Sequence, residues 1–218
     1  MSLPEIRAEV GCPTASLATT LRTLVNLGYL HHDRARRTYT PTVLLADLGG
    51  WVASRHAPGP AVQEAARTIG ERTGENVAIA HRNDIRLQYL HFLPANDLSP
   101  SVRVGTTRLL CRYGLGWALL ASLGNRAILS IVRRTNASLA SEDRVDLEPL
   151  LAMVERCRRD GFIHAEHTLR AGYGVIAMPI RSSQTALAIG VSGPAERIRK
   201  QHDDIVAAMR HALSRLPP

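Results

Sequence analysis

The stretch Gly11–Leu30, GCPTASLATTLRTLVNLGYL, decides how the N-terminal part of the chain folds. Leu17, Leu21, Leu24 and Val25 recur at i, i+4, i+7 and i+8 and form one apolar stripe. Ala15, Thr19, Arg22 and Asn26 fall on the opposite face, which leaves that face free to touch something else. Pro13, with Thr14 or Ser16 as the cap, marks the start of this helix. Gly28 marks its end, because glycine readily takes the left-handed conformation that stops a helix.

Just upstream, Ser2, Leu3, Pro4 and Glu5 fit a capping box, so a helix is expected from Leu3 to about Val10, closed by Gly11. Pro13 keeps it from running into the next helix. Two short helices joined by a tight glycine-containing turn form a helix-turn-helix. Downstream, HHDRARRTYT supplies a turn at Asp33 to Arg36 between short strands at 29–32 and 38–40. Arg34, Arg36 and Arg37 crowd the tip of that wing.

The 218 residues, 45% of them apolar, suffice for one domain of about 150 residues and a smaller one. The net charge of +8, carried almost wholly by arginine, favours a polyanion partner. Residues 1–57 hold only +2 of it, so the bulk charge does not locate the contact surface. Cys12, Cys111 and Cys157 have neither disulfide nor metal-ligand spacing, which points to a reducing cytoplasm and to small buried hydrophobes. Glu5, Arg7 and Glu9 exclude a signal-peptide core in the first ten residues. No apolar run approaches the roughly 20 residues that cross a bilayer, so no membrane association is expected.

Helical spacing of Val43, Leu44, Leu48, Trp51 and Val52 predicts a linker helix over 41–54, bent at Gly49 and Gly50, and HAPGP at 56–60 marks a domain boundary. An amphipathic helix follows over 61–73. A hairpin is expected over 76–80 and 85–91, turning at Asn83 and Asp84, with Ile85, Leu87 and Tyr89 on one face. Val102 and Val104 read as a short strand. Residues 114–122 are apolar nearly all round, which argues for a buried helix. Helices over 128–132 and 145–159, strands over 162–165, 174–180 and 186–191, and one closing helix over 196–213 complete the pattern.

PEIRAEVGCPTASLATTLRTLVNLGYL with its wing, then LGWALLASL, AGYGVIAMPI and AIGVSGP, in this order, resemble the winged-helix regulators of the IclR family. The resemblance covers essentially the whole chain. It implies an α+β protein: a winged helix-turn-helix DNA-binding domain over 1–41, a linker helix over 42–57, and a GAF-like effector-binding domain with an antiparallel sheet over 58–218. It also implies a bacterial homodimer or tetramer without a cofactor. Two departures stand out. The family has a further helix ahead of the capping box, so either the chain starts upstream or the head lacks that helix. The recognition helix carries Ala18 and Thr19 where the family often has a basic or amide residue.

The residues expected to face double-stranded DNA are Ala15, Ser16, Ala18, Thr19 and Arg22 on the helix and Arg34, Arg36 and Arg37 on the wing. Only Arg22 is long enough to hold a base edge with two hydrogen bonds. The alternative is a winged helix serving protein contacts. By position, the resemblance carries ligand contacts to Arg112, Gly114, Val175, Gly190 and Ser192. Arg112 just ahead of a buried helix start suits a small organic acid, with Leu115, Trp117 and Leu119 offering an apolar body contact. Against this, Arg112 reads equally as a solvated arginine, Ser192 as a hydroxyl satisfying strand-end backbone, and Trp117 as core.

An enzyme is not expected. His164 and Glu166 share one face of a strand and His167 takes the other, so they do not converge on a metal. Gly190-Val191-Ser192-Gly193 lacks the spacing of a nucleophile elbow. The resulting expectation is a regulator whose operator binding responds to an organic acid. The alternative is a sensing or scaffold protein that has lost DNA binding through an incomplete head.

Overall fold

The structure, a computed structural model, describes residues 1–47, 58–95, 102–180 and 186–217. The chain divides into two units, Met1–Ala57 and Pro58–Pro218.

In the first unit, helices α1 (Leu3–Val10) and α2 (Thr14–Asn26) precede an antiparallel hairpin of β1 (Leu30–Asp33) and β2 (Thr38–Pro41). The Ser2 amide donates to the Glu5 carboxylate at 2.7 Å, which holds that carboxyl below its ordinary range. Gly11, at φ 69°, closes α1 by donating its N–H to the Arg7 carbonyl. Leu17 and Leu21 are the buried members of the α2 stripe, with Leu24 and Val25 half-buried beside them.

Neither Thr14 nor Ser16 caps α2, contrary to expectation. Thr14 is already helical, and Pro13 supplies the cap position with no side-chain bond. The chain start adds a contact that no local pattern signals: Ser2 bridges Thr38, and the Tyr39 amide donates to the Met1 carbonyl at 2.8 Å. Residues 43–47 are helical. Of the rest of the expected linker helix, Pro41 ends β2, Thr42 is not helical, and residues 48–54 lie outside the described residues.

The second unit is a six-stranded antiparallel sheet with helices on both faces. Its elements are α3 (Pro60–Thr73), β3 (Asn76–Asn83), β4 (Arg86–Leu93), β5 (Thr107–Leu109), α4 (Gly114–Leu120), α5 (Asn125–Asn136), α6 (Leu147–Asp160), β6 (Ile163–Glu166), β7 (Tyr173–Ile180), β8 (Leu187–Pro194), α7 (Ala195–Lys200) and α8 (His202–Leu213). The strand order is β5-β4-β3-β8-β7-β6.

Alternation along the central strands sorts the side chains by size. Val77, Ile79, Ile176, Met178, Ile189 and Val191 face α3, α7 and α8 in one apolar cluster. Ala78, Ala80, Ala177 and Ala188 face α4 and α6 in the other. Short side chains on that second face let α4 settle close to the sheet, and all seven of its residues are buried.

Two other expectations change. The strand assigned to Val102 and Val104 forms instead at Thr107–Leu109. Gly105, at φ 87°, turns the chain first, and its amide donates to the Tyr89 carbonyl at 2.8 Å, so pairing with β4 starts beyond it. The single closing helix is two, separated at Gln201 (φ −97°, ψ 14°). Arg197, Arg199 and Lys200 complement the C-terminal end of α7, and Asp203 and Asp204 the N-terminal end of α8.

Candidate functional site

Four of the five expected ligand positions converge. Gly114 at the start of α4, Val175 on β7, and Gly190 and Ser192 on β8 line one cavity with Ala78, Tyr89, Val102, Tyr113, Leu115, Thr168 and Leu169. The pairing of Val175 with Ser192 and of Ala78 with Gly190 across the sheet brings them together. The cavity is small, with about 30 Å³ open to a water-sized molecule. Glycine at 114 and 190 lets its walls approach closely. A Cβ at Gly114 would sit 2.7 Å from Val175 Cγ1, and one at Gly190 would sit 3.0 Å from Leu115 Cδ1.

The fifth position is separated from the others. Arg112 ends a 3₁₀ turn, Leu110–Arg112, that buries Leu110 and Cys111 and sends the arginine outward. Its guanidinium meets Asp143 at 3.2 Å, with both side chains about half exposed. The placement of an anion by Arg112 at the start of α4 is therefore corrected: the tight turn points that side chain to solvent. Trp117 is core, its indole N–H donating to the Cys111 carbonyl at 2.7 Å.

Most of the cavity wall is apolar, and among the described residues none of those lining it is acidic. Hydroxyl groups come from Tyr89, Tyr113, Thr168 and Ser192. Tyr89 is placed by an irregularity in the β3–β4 pairing. Ile79 pairs with His91 and Ala80 with Tyr89, so Leu90 is an extra residue in β4 that re-aims its neighbour. Burial pushes the Tyr89 phenol up, while Arg108 beside it pulls the other way. The connection from β6 to β7 brings Thr168 and Leu169 over the cavity. It is held by the Gly172 amide donating to His167 Nδ1 at 3.0 Å, with His167 at φ 61°.

On α2, Ala15, Ser16, Thr19 and Arg22 are exposed and Ala18 is half-buried. Thr19 turns its hydroxyl inward, donating to the Ala15 carbonyl at 3.0 Å, so the face presents small groups around one long cation. Arg34, Arg36 and Arg37 are exposed at the hairpin tip. Asp33 shapes that tip by accepting from the Ala35 and Arg36 amides at 2.9 and 3.0 Å, and Arg37 takes φ 52° to close the turn.

Strand alternation sets His167 apart from His164 and Glu166, but Glu166 lies 3.4 Å from His164 Nε2 and 3.9 Å from His167 Nε2; among the described residues no cluster of three such side chains is placed to hold a metal ion. Arg199 donates two hydrogen bonds to Glu166, at 3.1 and 2.7 Å, and holds that carboxyl below its ordinary range. Burial, with His202 nearby, lowers the pKa of His164.

The family described as bacterial transcriptional regulator IclR C-terminal matches residues 57–216. The chain belongs to the IclR family. Among its IclR-like relatives, the HTH-type transcriptional regulator KdgR of Escherichia coli K12 is 20% identical over 219 residues, 99% of this chain and 83% of KdgR. The Pca regulon regulatory protein of Pseudomonas putida is 24% identical over 205 residues, 92% of this chain and 70% of that protein.

Solved structures share the IclR fold. The Thermotoga maritima IclR covers 98% of this chain and 88% of its own at 16% identity, with a TM-score of 0.73. An IclR family transcriptional regulator from Brucella abortus covers 100% and 85% at 21% identity, with a TM-score of 0.70. The cavity lies inside the region matched to the IclR C-terminal family, in an α+β domain. Relatives of this IclR-family chain are named as transcriptional regulators, not enzymes. Among the described residues no helix is long and apolar enough to cross a membrane.

Sequence reasoning missed Tyr89, Tyr113, Thr168 and Leu169 as lining, and Arg108 behind them. The size alternation of β3 and β8, alanine or glycine against isoleucine or valine, was the available signal for a cavity on the α4 side. An arginine between Thr107 and Leu109 just past Gly105 was the signal for a cation there.

Proposed function

We propose that this chain is a ligand-responsive DNA-binding regulator of transcription, acting in the cytoplasm as a homodimer or tetramer. Its first unit serves as a winged helix-turn-helix head, with α2 as the recognition helix and the β1–β2 hairpin as the wing. Its second unit binds a small organic effector in the cavity bounded by α4, β7 and β8. The observation that carries the reading is the convergence of Gly114, Val175, Gly190 and Ser192, 78 residues apart in sequence, on one largely apolar cavity that contains hydroxyl groups.

Two recognition helices in a symmetric dimer would meet successive major grooves, so the operator is an imperfect palindrome. Arg22 reads a base edge, and Arg34, Arg36 and Arg37 contact phosphates. Ligand occupancy biases the arrangement of the paired heads. The test titrates labelled DNA from upstream of the protein's own gene with the intact chain, with and without a panel of small carboxylates. The expected result is sequence-preferring, salt-dependent binding that at least one acid shifts. Acid binding without DNA binding would favour a sensing or scaffold role in place of regulation.

A further inference from the structure

One wall of the cavity is a connection tied at both ends and held down by a titratable side chain. Between β6 and β7 the chain runs through His167, Thr168, Leu169, Arg170, Ala171 and Gly172. Backbone groups pin its ends. The His167 amide donates to the Tyr173 carbonyl at 2.7 Å, the Tyr173 amide to the Arg170 carbonyl at 3.2 Å, and the Ala195 amide of α7 to the Gly172 carbonyl at 2.8 Å. The Arg170 guanidinium stacks on the Tyr173 ring, 3.6 Å from its centre. Thr168 and Leu169 lie between those ties and line the cavity. Across the base of the loop, His167 Nδ1 accepts from the Gly172 amide at 3.0 Å, with the His167 backbone left-handed at φ 61°. A ring nitrogen accepts only while it carries no proton, so this bond belongs to the neutral imidazole with its hydrogen on Nε2.

A second observation is size. With the connection down, the 30 Å³ open to a water-sized molecule has room for on the order of two waters. Sites that hold small organic molecules run to roughly 300 Å³ or more. The walls on β3, β4, β7 and β8 are fixed by pairing and α4 is buried throughout, so the connection is the wall that can yield.

We propose that the β6–β7 connection is a gate over the cavity, latched by neutral His167 and released when the imidazole takes up its second proton. The reading of the cavity as the effector site enters only in what the gate would admit.

The second proton goes to Nδ1, since Nε2 already holds one, and it turns the acceptor into a donor facing the Gly172 N–H. Two donors cannot share that bond, and the left-handed turn at His167 loses a contact that offsets its conformational cost. The backbone ties do not titrate, so movement is confined to Thr168 and Leu169. The imidazole is largely exposed and meets solvent protons directly. Glu166 Oε2, 3.9 Å from Nε2, favours the imidazolium. Arg199 of α7, which donates two bonds to Glu166, opposes it, as do Arg170 of the loop and a protonated His164, whose Nε2 is 3.4 Å from Glu166. Behind His164 stands His202 of α8, 5.3 Å away between ring centres, with Asp203 on its Nδ1. Imidazoles ordinarily change charge between pH 5 and 8.

Hydrogen exchange by mass spectrometry on the intact, ligand-free chain, corrected for the intrinsic pH dependence of exchange, tests the latch at pH 7.5 and 5.5. Protection over residues 168–172 should fall by roughly 3- to 10-fold at the lower pH, the worth of one hydrogen bond, while that of β7 stays within about two-fold. In His167→Asn, Oδ1 takes the place of Nδ1, asparagine tolerates the left-handed backbone and nothing titrates, so protection should hold at both pH values. His167→Ala should be loosened at both; should it fail to fold, His167→Asn carries the test. Entry to the cavity is read in Ser192→Cys by labelling with a small mercurial, with half-buried Cys12 as internal reference and the labelled site identified by mass. Relative to Cys12, labelling at position 192 should quicken several-fold at pH 5.5, and should not when His167→Asn is added. Protection that ignores pH, or that His167→Asn loses with pH as the original does, overturns the proposal. A loosened loop with unchanged labelling at position 192 also overturns it, because the bond then shapes a turn without gating the cavity. No ligand enters this experiment, so its failure leaves the effector reading to the DNA titration and to Gly190→Ala.

Discussion

Adding a single methyl group to the floor of the cavity separates a ligand site from a packing void. In Gly190→Ala the new Cβ would lie 3.0 Å from Leu115 Cδ1, 3.4 Å from Val175 Cγ2 and 3.7 Å from Ala177 Cβ. The tightest of these approaches is to the far end of a flexible side chain, which can yield by a few tenths of an ångström. Burying a methyl group gains about 0.8 kcal/mol. Replacing a strand-interior glycine gains roughly 0.5–1 kcal/mol more. Overpacking costs roughly 1–3 kcal/mol. These effects largely offset one another, and stability should change by less than about 2 kcal/mol, or roughly 4–8 °C in Tm at most for a domain of this size.

Gly116→Ala is the contrast. Its Cβ would fall 2.0 Å from the Leu110 carbonyl oxygen, which is backbone and has nowhere to go. Here the destabilisation should exceed about 3 kcal/mol, the upper end of ordinary overpacking. For the ligand the order reverses. A methyl that displaces Leu115 and Val175, two of the cavity's walls, should cost the ligand roughly 1–3 kcal/mol, or about 5- to 150-fold in Kd. Thermal unfolding of both variants, with calorimetry of Gly190→Ala against the tightest-binding acid, checks the two halves. A folded Gly190→Ala protein whose Kd stays within about two-fold of the original would refute the cavity as the site.

Three further outcomes are expected. Replacing Arg34, Arg36 and Arg37 together by alanine should weaken binding on all DNA sequences and flatten the dependence of log affinity on log salt by about 0.9 for each phosphate that is no longer neutralised; an unchanged slope removes the hairpin tip from the interface. Arg22→Ala should weaken binding by about 1–3 kcal/mol on the preferred operator and much less on random DNA; equal weakening on both would make it a phosphate-binding residue, with sequence preference arising from DNA shape. Burial lowers the pKa of His91 and His164 in the folded protein, so below the ordinary value of 6.5 the unfolded chain binds more protons and stability falls with pH. Urea unfolding at pH 5.5 and 7.5 should show the lower stability on the acid side, and His164→Gln should reduce the difference; no change in the difference would place the titration elsewhere.

The amino-acid sequence by itself determined those features that depend on neighbours along the chain. The period of Leu17, Leu21, Leu24 and Val25, the Ser2–Glu5 pairing and the glycines at 11, 74 and 161 set helices whose ends the structure reproduces to within a residue or two. The all-apolar run from Gly114 demanded burial on every side, and it received it. Edge strand β5 was misplaced because three residues of pairing leave almost no periodic trace, and the turn at Gly105 depends on a bond to Tyr89 sixteen residues earlier.

Only the tertiary structure decided which side chains meet. Arg112 and Arg108 are four residues apart, and sequence position favoured the first because it adjoins a helix start. A 3₁₀ turn directs Arg112 to Asp143 and solvent, whereas the register of β5 against Leu87 turns Arg108 toward the Tyr113 ring of the cavity wall. The cavity draws its walls from separate elements, with Gly114, Ala78 and Gly190 among them, and these meet only when antiparallel pairing stacks them. Periodicity records the direction of a side chain relative to its own element. It carries no information about which other element's gap lies opposite, because that is fixed by strand order and register, which are set by packing across the whole sheet.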